Sequence, residues 1–328
     1  MIDHESQLSY LSELFSISGH PPLVFLKIDT GYHRAGVEPS SPAMTSIVTA
    51  LLASEAAGHC VLYGLYSHNS NSYGARSVDE AVSYLSSEFN GVRDAARIVR
   101  EQSPQHKLVL SAGASPDTTT VQNPGFEVNT AGPVIAEVAD MFRELRADGF
   151  ELEVHAGVYP TLDLQQLSTH ARNGSLMSYN NIAISVLVEV GSLYPGRGIG
   201  GTTEALVTAG TLALGREPVA DKGVPPGRDY SGWGIVTPWN SNNIAPGDDF
   251  PRVHGGWQIG RISQEHGILA WKGAKDDEIP LHVGQRLRIW PNHACIAGAG
   301  FDHYLIVDSR KKGSEDEVID VWSRWRGW

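Results

Sequence analysis

The chain has little cysteine, little positive charge and no long apolar run, and each shortage removes a class of protein. Only Cys60 and Cys295 occur in 328 residues, too few for a disulfide framework, so each thiol is available for packing or for a metal. Lysine and arginine total 25 against 37 aspartates and glutamates, a formal net charge of -12. The basic residues are spread thinly and form no face to hold a phosphate backbone, which argues against a nucleic-acid partner. No run of about 18 apolar residues could cross a bilayer, and Met1-Ile2-Asp3-His4-Glu5-Ser6-Gln7 is not a charged-then-apolar leader. A cytoplasmic protein without a membrane partner is expected. No internal repeat is present. What remains is a chain 41% hydrophobic and 19% charged, long enough to bury one large core or two ordinary ones.

The first half alternates short apolar runs with helical periods, the pattern of parallel strands joined by crossover helices. Strands are predicted at Leu23 to Ile28, Val61 to Tyr66, Leu108 to Ser111 and Leu152 to His155. A helix spans His4 to Ile17. Another starts at Ser41-Pro42 and stops near Gly58, a third opens on Ser77 and Glu80 spaced as a capping box, and a fourth runs from Pro133 to Ala147. From about Asn181 the texture turns β-branched and rich in glycine and proline. Ile182 to Val190, Ile259 to Ile262, Gly267 to Trp271, Arg286 to Trp290 and Tyr304 to Asp308 read as strands of an antiparallel β domain, and Lys222 to Gly256 as a long loop. The expected domains are therefore 1–180 and 181–328.

Two blocks carry the chemistry. In Trp290-Pro291-Asn292-His293-Ala294-Cys295 an imidazole and a thiol stand two residues apart; on an extended strand both would face one side and could grip one metal ion. The alternative is a satisfied histidine beside a structural cysteine. Far upstream lies Leu26-Lys27-Ile28-Asp29-Thr30-Gly31-Tyr32-His33-Arg34-Ala35-Gly36-Val37, where Arg34 could donate to an anionic oxygen or simply be a solvated loop arginine. Strand ends at Gly113 with Ser115 and at Gly157 with Tyr159 could offer backbone amides to a phosphate, or be ordinary turns. Gly196-Arg197-Gly198-Ile199-Gly200-Gly201 lacks a following crossover unit and is read as a flexible turn. Ser263-Gln264-Glu265-His266-Gly267 is a polar turn that becomes a support for the metal pair if the two lie together.

With these blocks in hand, the chain resembles the D-serine dehydratase branch of the fold-type III pyridoxal phosphate enzymes, which includes D-threonine aldolase and is distantly related to alanine racemase. The matching blocks are Lys27 to Gly31 with His33, Arg34 and Gly36; His155 to Tyr159 with Asp163; Glu204 to Val207 with Ala209 and Gly210; Ser263 to Gly267; and Pro291 to Cys295. They span nearly the whole chain in family order. The resemblance implies a partial (β/α)8 cofactor barrel of about four strand-helix units, an antiparallel β domain, and a homodimer whose second subunit completes the active site. It implies that Arg34 lies beside a pyridine ring oxygen, that Gly113, Ser115, Gly157, Val158 and Tyr159 surround the phosphate with His155 in the same cofactor-binding set, and that His293 and Cys295 ligate zinc. Glu265 and His266 would support that metal. The aldolases commonly carry an aspartate in the second metal position, so Cys295 favours the dehydratase: a lyase acting on a D-amino acid, giving pyruvate and ammonia from D-serine. D-threonine aldolase chemistry, or a non-catalytic protein that binds the cofactor and zinc, are the alternatives.

One part of the family pattern is missing. The lysine that carries the cofactor stands well before the Asp-Thr-Gly block in these enzymes, and here that block begins near residue 27. None of Lys27, Lys107, Lys222, Lys272, Lys275, Lys311 and Lys312 sits in the family's lysine motif. The expectation is a chain that starts midway through the barrel, either truncated or a natural half-barrel. Its sheet edge beside Leu23 to Ile28 should then be unpaired, and it should turn over no D-serine as it stands.

Overall fold

A computed structural model describes all residues except 125–132, 222–229, 239–255, 309, 312, 315 and 326–328. The chain divides into two compact units, Met1–Gly157 with Thr169–Leu176, and Val158–Ser168 with Met177–Trp328. It passes between them three times, around the boundary expected near 180.

The first unit opens with α1 (Leu8–Ser18), ended by Gly19 in the left-handed region at φ 71°. Then follow β1 (Leu23–Lys27), α2 (Pro42–Ala56), β2 (Val61–Tyr66), α3 (Val78–Gln102), β3 (Val109–Ala112), the single turn α4 (Ser115–Thr118), α5 (Pro133–Ala147) and β4 (Glu151–Val154). The four strands form one parallel sheet in the order β1-β2-β3-β4, as the alternating pattern requires. Helix starts follow their caps. The Ser41 hydroxyl accepts the Met44 amide at 3.3 Å with Pro42 in the first turn, satisfying a donor that the helix cannot. At α3 the Ser77 hydroxyl accepts the Glu80 amide (3.2 Å), but the Glu80 carboxylate accepts from Arg76 (2.6 Å), so the expected capping box is displaced by one residue.

The 25 residues of α3 bury Val82, Leu85, Phe89, Val92, Ala95, Ala96 and Val99 along one stripe, against Leu26, Leu65 and Leu110 of the sheet in the same core. Glu88 stands in that stripe and is fully buried. The outer edge of β1 is not bare as expected. Ile2 forms a parallel bridge with Leu26, its amide donating to Phe25 (3.0 Å) and its carbonyl accepting from Lys27 (2.8 Å).

In the second unit, α6 (Leu164–Ser168) precedes β5 (Val186–Tyr194), β6 (Glu204–Val207), α7 (Thr211–Leu214), β7 (Val219–Asp221), β8 (Tyr230–Gly232), β9 (Gly234–Pro238), β10 (Trp257–Ile262), β11 (Gly267–Trp271), β12 (Arg286–Pro291), α8 (Ala294–Ala299), β13 (His303–Ile306) and β14 (Asp320–Ser323). Six strands close a barrel in the order β10-β11-β6-β5-β12-β9. Val186, Val188 and Val190 point inward from β5 while Leu187 and Glu189 face out, the period-two alternation of a strand buried on one side. Trp257 and Ile259 of β10, Leu269 of β11 and Leu287 and Ile289 of β12 fill the same core.

Two expectations change here. The strand predicted at Ile182 starts four residues later, because Ile182 follows a 3-10 turn and the Ala183 amide donates to Thr161 instead (2.8 Å). The span 222–256 is not all loop. Within it β9 pairs with β12 over five residues and completes the closure, which leaves the barrel no free edge between these strands. Gly196 to Gly201 forms a turn between β5 and β6, as read. Among the described residues no helix is long and apolar enough to cross a membrane.

Phe89 is fully buried and meets Phe142 edge-on at 4.7 Å. Phe89→Ala should cost about 3 to 5 kcal/mol, measured by denaturant unfolding, whereas the exposed Tyr10→Ala should shift the midpoint little.

Candidate functional site

In the first unit the carboxyl ends of the parallel strands gather polar side chains, where α/β sheets present ligands. Lys27, the last residue of β1, is buried; its ammonium donates to the Ile28 carbonyl at 3.0 Å and stands 5.5 Å from the Tyr66 ring centroid. Burial lowers its pKa, with Glu88 and Asp29 opposing. His155 lies flat on Tyr66, ring centroids 4.4 Å apart and planes 3° apart, with Nε2 on the Ser67 carbonyl at 2.8 Å. His68 stacks 5.9 Å from His155 and places Nδ1 on the Gly113 carbonyl at 2.9 Å. Burial pushes both imidazoles below the usual histidine range, so each is a neutral ring donating one N–H to a carbonyl.

Arg34 is exposed, its guanidinium 5.4 Å from the Tyr32 ring, and its charge acts on Lys27, Tyr66 and His68. It hangs from a loop set by Asp29, whose carboxylate accepts from the Gly31 and His33 amides and from His33 Nδ1, each at 3.0 Å. Burial resists ionisation of Asp29, but these bonds outweigh it and hold the carboxyl below its ordinary value.

The phosphate cradle expected at Gly113 and Ser115 is differently built. The Gly113 amide donates to Glu88 Oε2 (3.1 Å) and the Ala114 amide to Asp117 Oδ1 (2.7 Å). Glu88 also accepts the Asn69 amide through Oε1 (2.6 Å), tying the ends of β2 and β3 together. Ser115 is buried. Two carboxyl groups thus hold amides that a phosphate would have used. Gly113 has φ +135°, and a Cβ there would collide with the Thr118 hydroxyl and come within 2.9 Å of the His155 carbonyl, so its glycine is demanded by the protein itself. Gly157 opens on empty space. Val158 is buried with its carbonyl accepting from Thr161 and Leu162, and Tyr159 is exposed. The residues present fit an anionic aromatic group at the cluster of Arg34, Lys27, Tyr66, His68 and His155, which offers two cationic side chains and ring faces beside the acids Asp29 and Glu88, but not at the Gly113 amide.

In the second unit His293 and Cys295 are not on an extended strand. β12 ends at Pro291, His293 caps α8 at φ -135° and ψ 108°, and Cys295 lies in the first turn of that helix. The buried Asp163 faces them: its Oδ2 accepts the Ala294 amide at 2.8 Å and its Oδ1 the Gln166 amide at 2.9 Å. Burial raises the Asp163 carboxyl, opposed by those bonds and by His293. Desolvation and then the Asp163 charge raise the Cys295 thiol, so its ligating form requires a cation to displace the proton. Glu265 and His266 occupy an exposed turn between β10 and β11. Among the described residues no three His, Cys, Asp or Glu side chains form a metal cage. The imidazole and thiol suit zinc as a two-residue donor set with open positions.

Glu88 and Asp117 escape a motif search. Only Glu88 carries a sequence signal, as an acid inside an apolar helical stripe.

The family model described as "Putative serine dehydratase domain" matches residues 183–307, and that of the alanine racemase N-terminal domain matches 1–133. D-serine dehydratase of Schizosaccharomyces pombe is 36% identical over 100% of this chain and 67% of its own length; that of Saccharomyces cerevisiae is 30% identical over 95% and 64%. The chain belongs to the D-serine dehydratase family. It spans about two thirds of the length of these curated relatives. D-threo-3-hydroxyaspartate dehydratase from Delftia sp. HT23 superposes with a TM-score of 0.67 at 25% identity, covering all of this chain and 72% of that one. Two variants of that enzyme are also solved, one with a cysteine replaced by alanine in the metal-free form and one with a histidine replaced by alanine, at positions two apart.

Burial, and next the Glu88 charge, push the Asp117 carboxyl up to about 8. The folded state therefore binds a proton that the unfolded chain has already released, and stability attributable to this group should fall as pH rises from about 4 to about 8. Asp117→Asn keeps an acceptor for Ala114 and carries no charge, so it should flatten that slope in urea unfolding series. Equal slopes in both proteins would disprove the buried-acid assignment.

Proposed function

We propose that the chain forms the greater part of a pyridoxal phosphate- and zinc-dependent D-serine dehydratase, a lyase releasing pyruvate and ammonia. The observation that carries this reading is the identity to D-serine dehydratases along the whole chain. Residues 1–180 serve the cofactor and 181–328 the metal. When bound, the cofactor supplies an electron sink at the substrate α-carbon and the metal a Lewis acid for the departing hydroxyl.

The chain's own groups have separate tasks. Arg34 with Lys27 provides positive charge for an anionic ring or carboxylate oxygen. His155, neutral and pinned to the Ser67 carbonyl, offers a flat apolar face held by Tyr66 rather than a charge. Glu88 fixes the loops that present these rings. The turn at Gly157, Val158 and Tyr159 is the remaining place for a phosphate. His293 and Cys295 bind the cation, as the paired histidine and cysteine variants of the Delftia enzyme support. The family's homodimer and a cytoplasmic address belong to the same reading.

No lysine of the chain stands in the family's cofactor-carrying motif, so the 328-residue chain alone should form no covalent bond to pyridoxal phosphate and release no pyruvate from D-serine. It should still take up zinc, and His293→Ala or Cys295→Ala should abolish that uptake. Metal analysis after dialysis, borohydride trapping with peptide mapping, and a coupled pyruvate assay test the three statements. A trapped lysine or pyruvate from this chain would refute the second, and zinc retained by both variants would refute the metal pair.

A further inference from the structure

We infer that Asp163 is the positioning residue of the metal pair: it binds no metal itself but fixes His293 and Cys295 by holding the amide of Ala294, the residue between them. The inference rests on the metal reading above. Ala294 separates the two ligands, and its amide donates to Asp163 Oδ2 at 2.8 Å. The other oxygen accepts the Gln166 amide at 2.9 Å, so the carboxylate bridges the starts of α6 and α8. It is fully buried, and a buried carboxylate with both oxygens engaged is a rigid fixture rather than a mobile ligand.

The chain on the other side of His293 is clamped too. The buried Asn292 side chain donates to the Glu217 and Gly232 carbonyls, both at 2.8 Å, and accepts the Tyr230 hydroxyl at 2.5 Å. Its own carbonyl accepts the Gln165 amide at 3.0 Å. Residues 292 and 294 are thus both held, just after Trp290, which is buried in one cluster with Leu162, Leu164, Leu167 and Tyr230. What lies between and just beyond them is the imidazole and the thiol. Ligands arranged before the metal arrives lose less freedom on binding, and groups that orient ligands commonly contribute 10- to 100-fold in affinity.

Two variants separate this from a general effect on folding. Asp163→Asn keeps the side-chain shape but replaces one acceptor by a donor facing a donor. Ala294→Pro removes the amide that Asp163 accepts and turns the ring Cδ toward Oδ2, so it breaks the same contact from the other side; it stands at the first position of α8, where proline is tolerated, after a residue whose extended backbone is compatible with a following proline. Zinc affinity of the full chain is measured by competition with a chromophoric chelator. Cobalt substitution reports the thiolate-to-metal charge-transfer band, and thermal melting runs alongside. Both variants should bind zinc about 10- to 100-fold more weakly with a diminished cobalt-thiolate band. Val236→Ala, a cavity in the barrel core of the same unit, should lower the melting temperature and leave zinc affinity unchanged. If Asp163→Asn does not fold, Ala294→Pro decides alone. Wild-type affinity and an unaltered cobalt spectrum in Ala294→Pro would overturn the inference while leaving the metal pair intact. A wild-type chain that binds neither metal would overturn both.

Discussion

A carboxyl group taken out of water must find partners, and in this protein the partners are backbone amides at the ends of helices and strands. Glu88 spans the amides of Asn69 and Gly113, Asp117 holds Ala114, and Asp163 spans Gln166 and Ala294. Loop amides at such places have no partner within their own element, and a buried acid left without them would be costly. Each need answers the other. The result is that irregular segments carrying functional side chains are held as firmly as the elements they join. Asp29 does the same at the surface for the loop that carries Arg34.

This explains how much was legible beforehand. The parallel strands followed from apolar runs ending in polar residues, and the α2 and α3 starts from Ser41-Pro42 and Ser77, because these signals are local. The closure of the β barrel was not, since β9 offers only Ile235 and Val236 as an apolar core and takes its meaning from pairing with β12. The resemblance of Pro291 to Cys295 to a metal motif singles out His293 and Cys295, yet an i, i+2 spacing says the same thing on a strand and at a helix start. Only the break after Pro291 distinguishes them. Likewise, Gly113 looked like a phosphate turn, whereas its amide belongs to an acid 25 residues away. A glycine motif records that the backbone comes close to something; it does not record to what.

The two units divide the chemistry by the kind of surface each makes. Parallel strand ends gather rings and cations, with His68 and His155 both kept neutral by burial. The β unit sets an imidazole and a thiol at the start of a short helix. The charged groups differ accordingly: Arg34 and Lys27 stand among the rings of the first unit, Asp163 beside the imidazole and thiol of the second, and neither placement could be read from the overall balance of -12.

The bridge from Ile2 to β1 has a further consequence. Two hydrogen bonds from one residue occupy the Phe25 carbonyl and the Lys27 amide, the groups that an extended strand from another molecule would need to dock there. A strand arriving from another molecule would have to displace Ile2 before it could pair with β1 at these two positions.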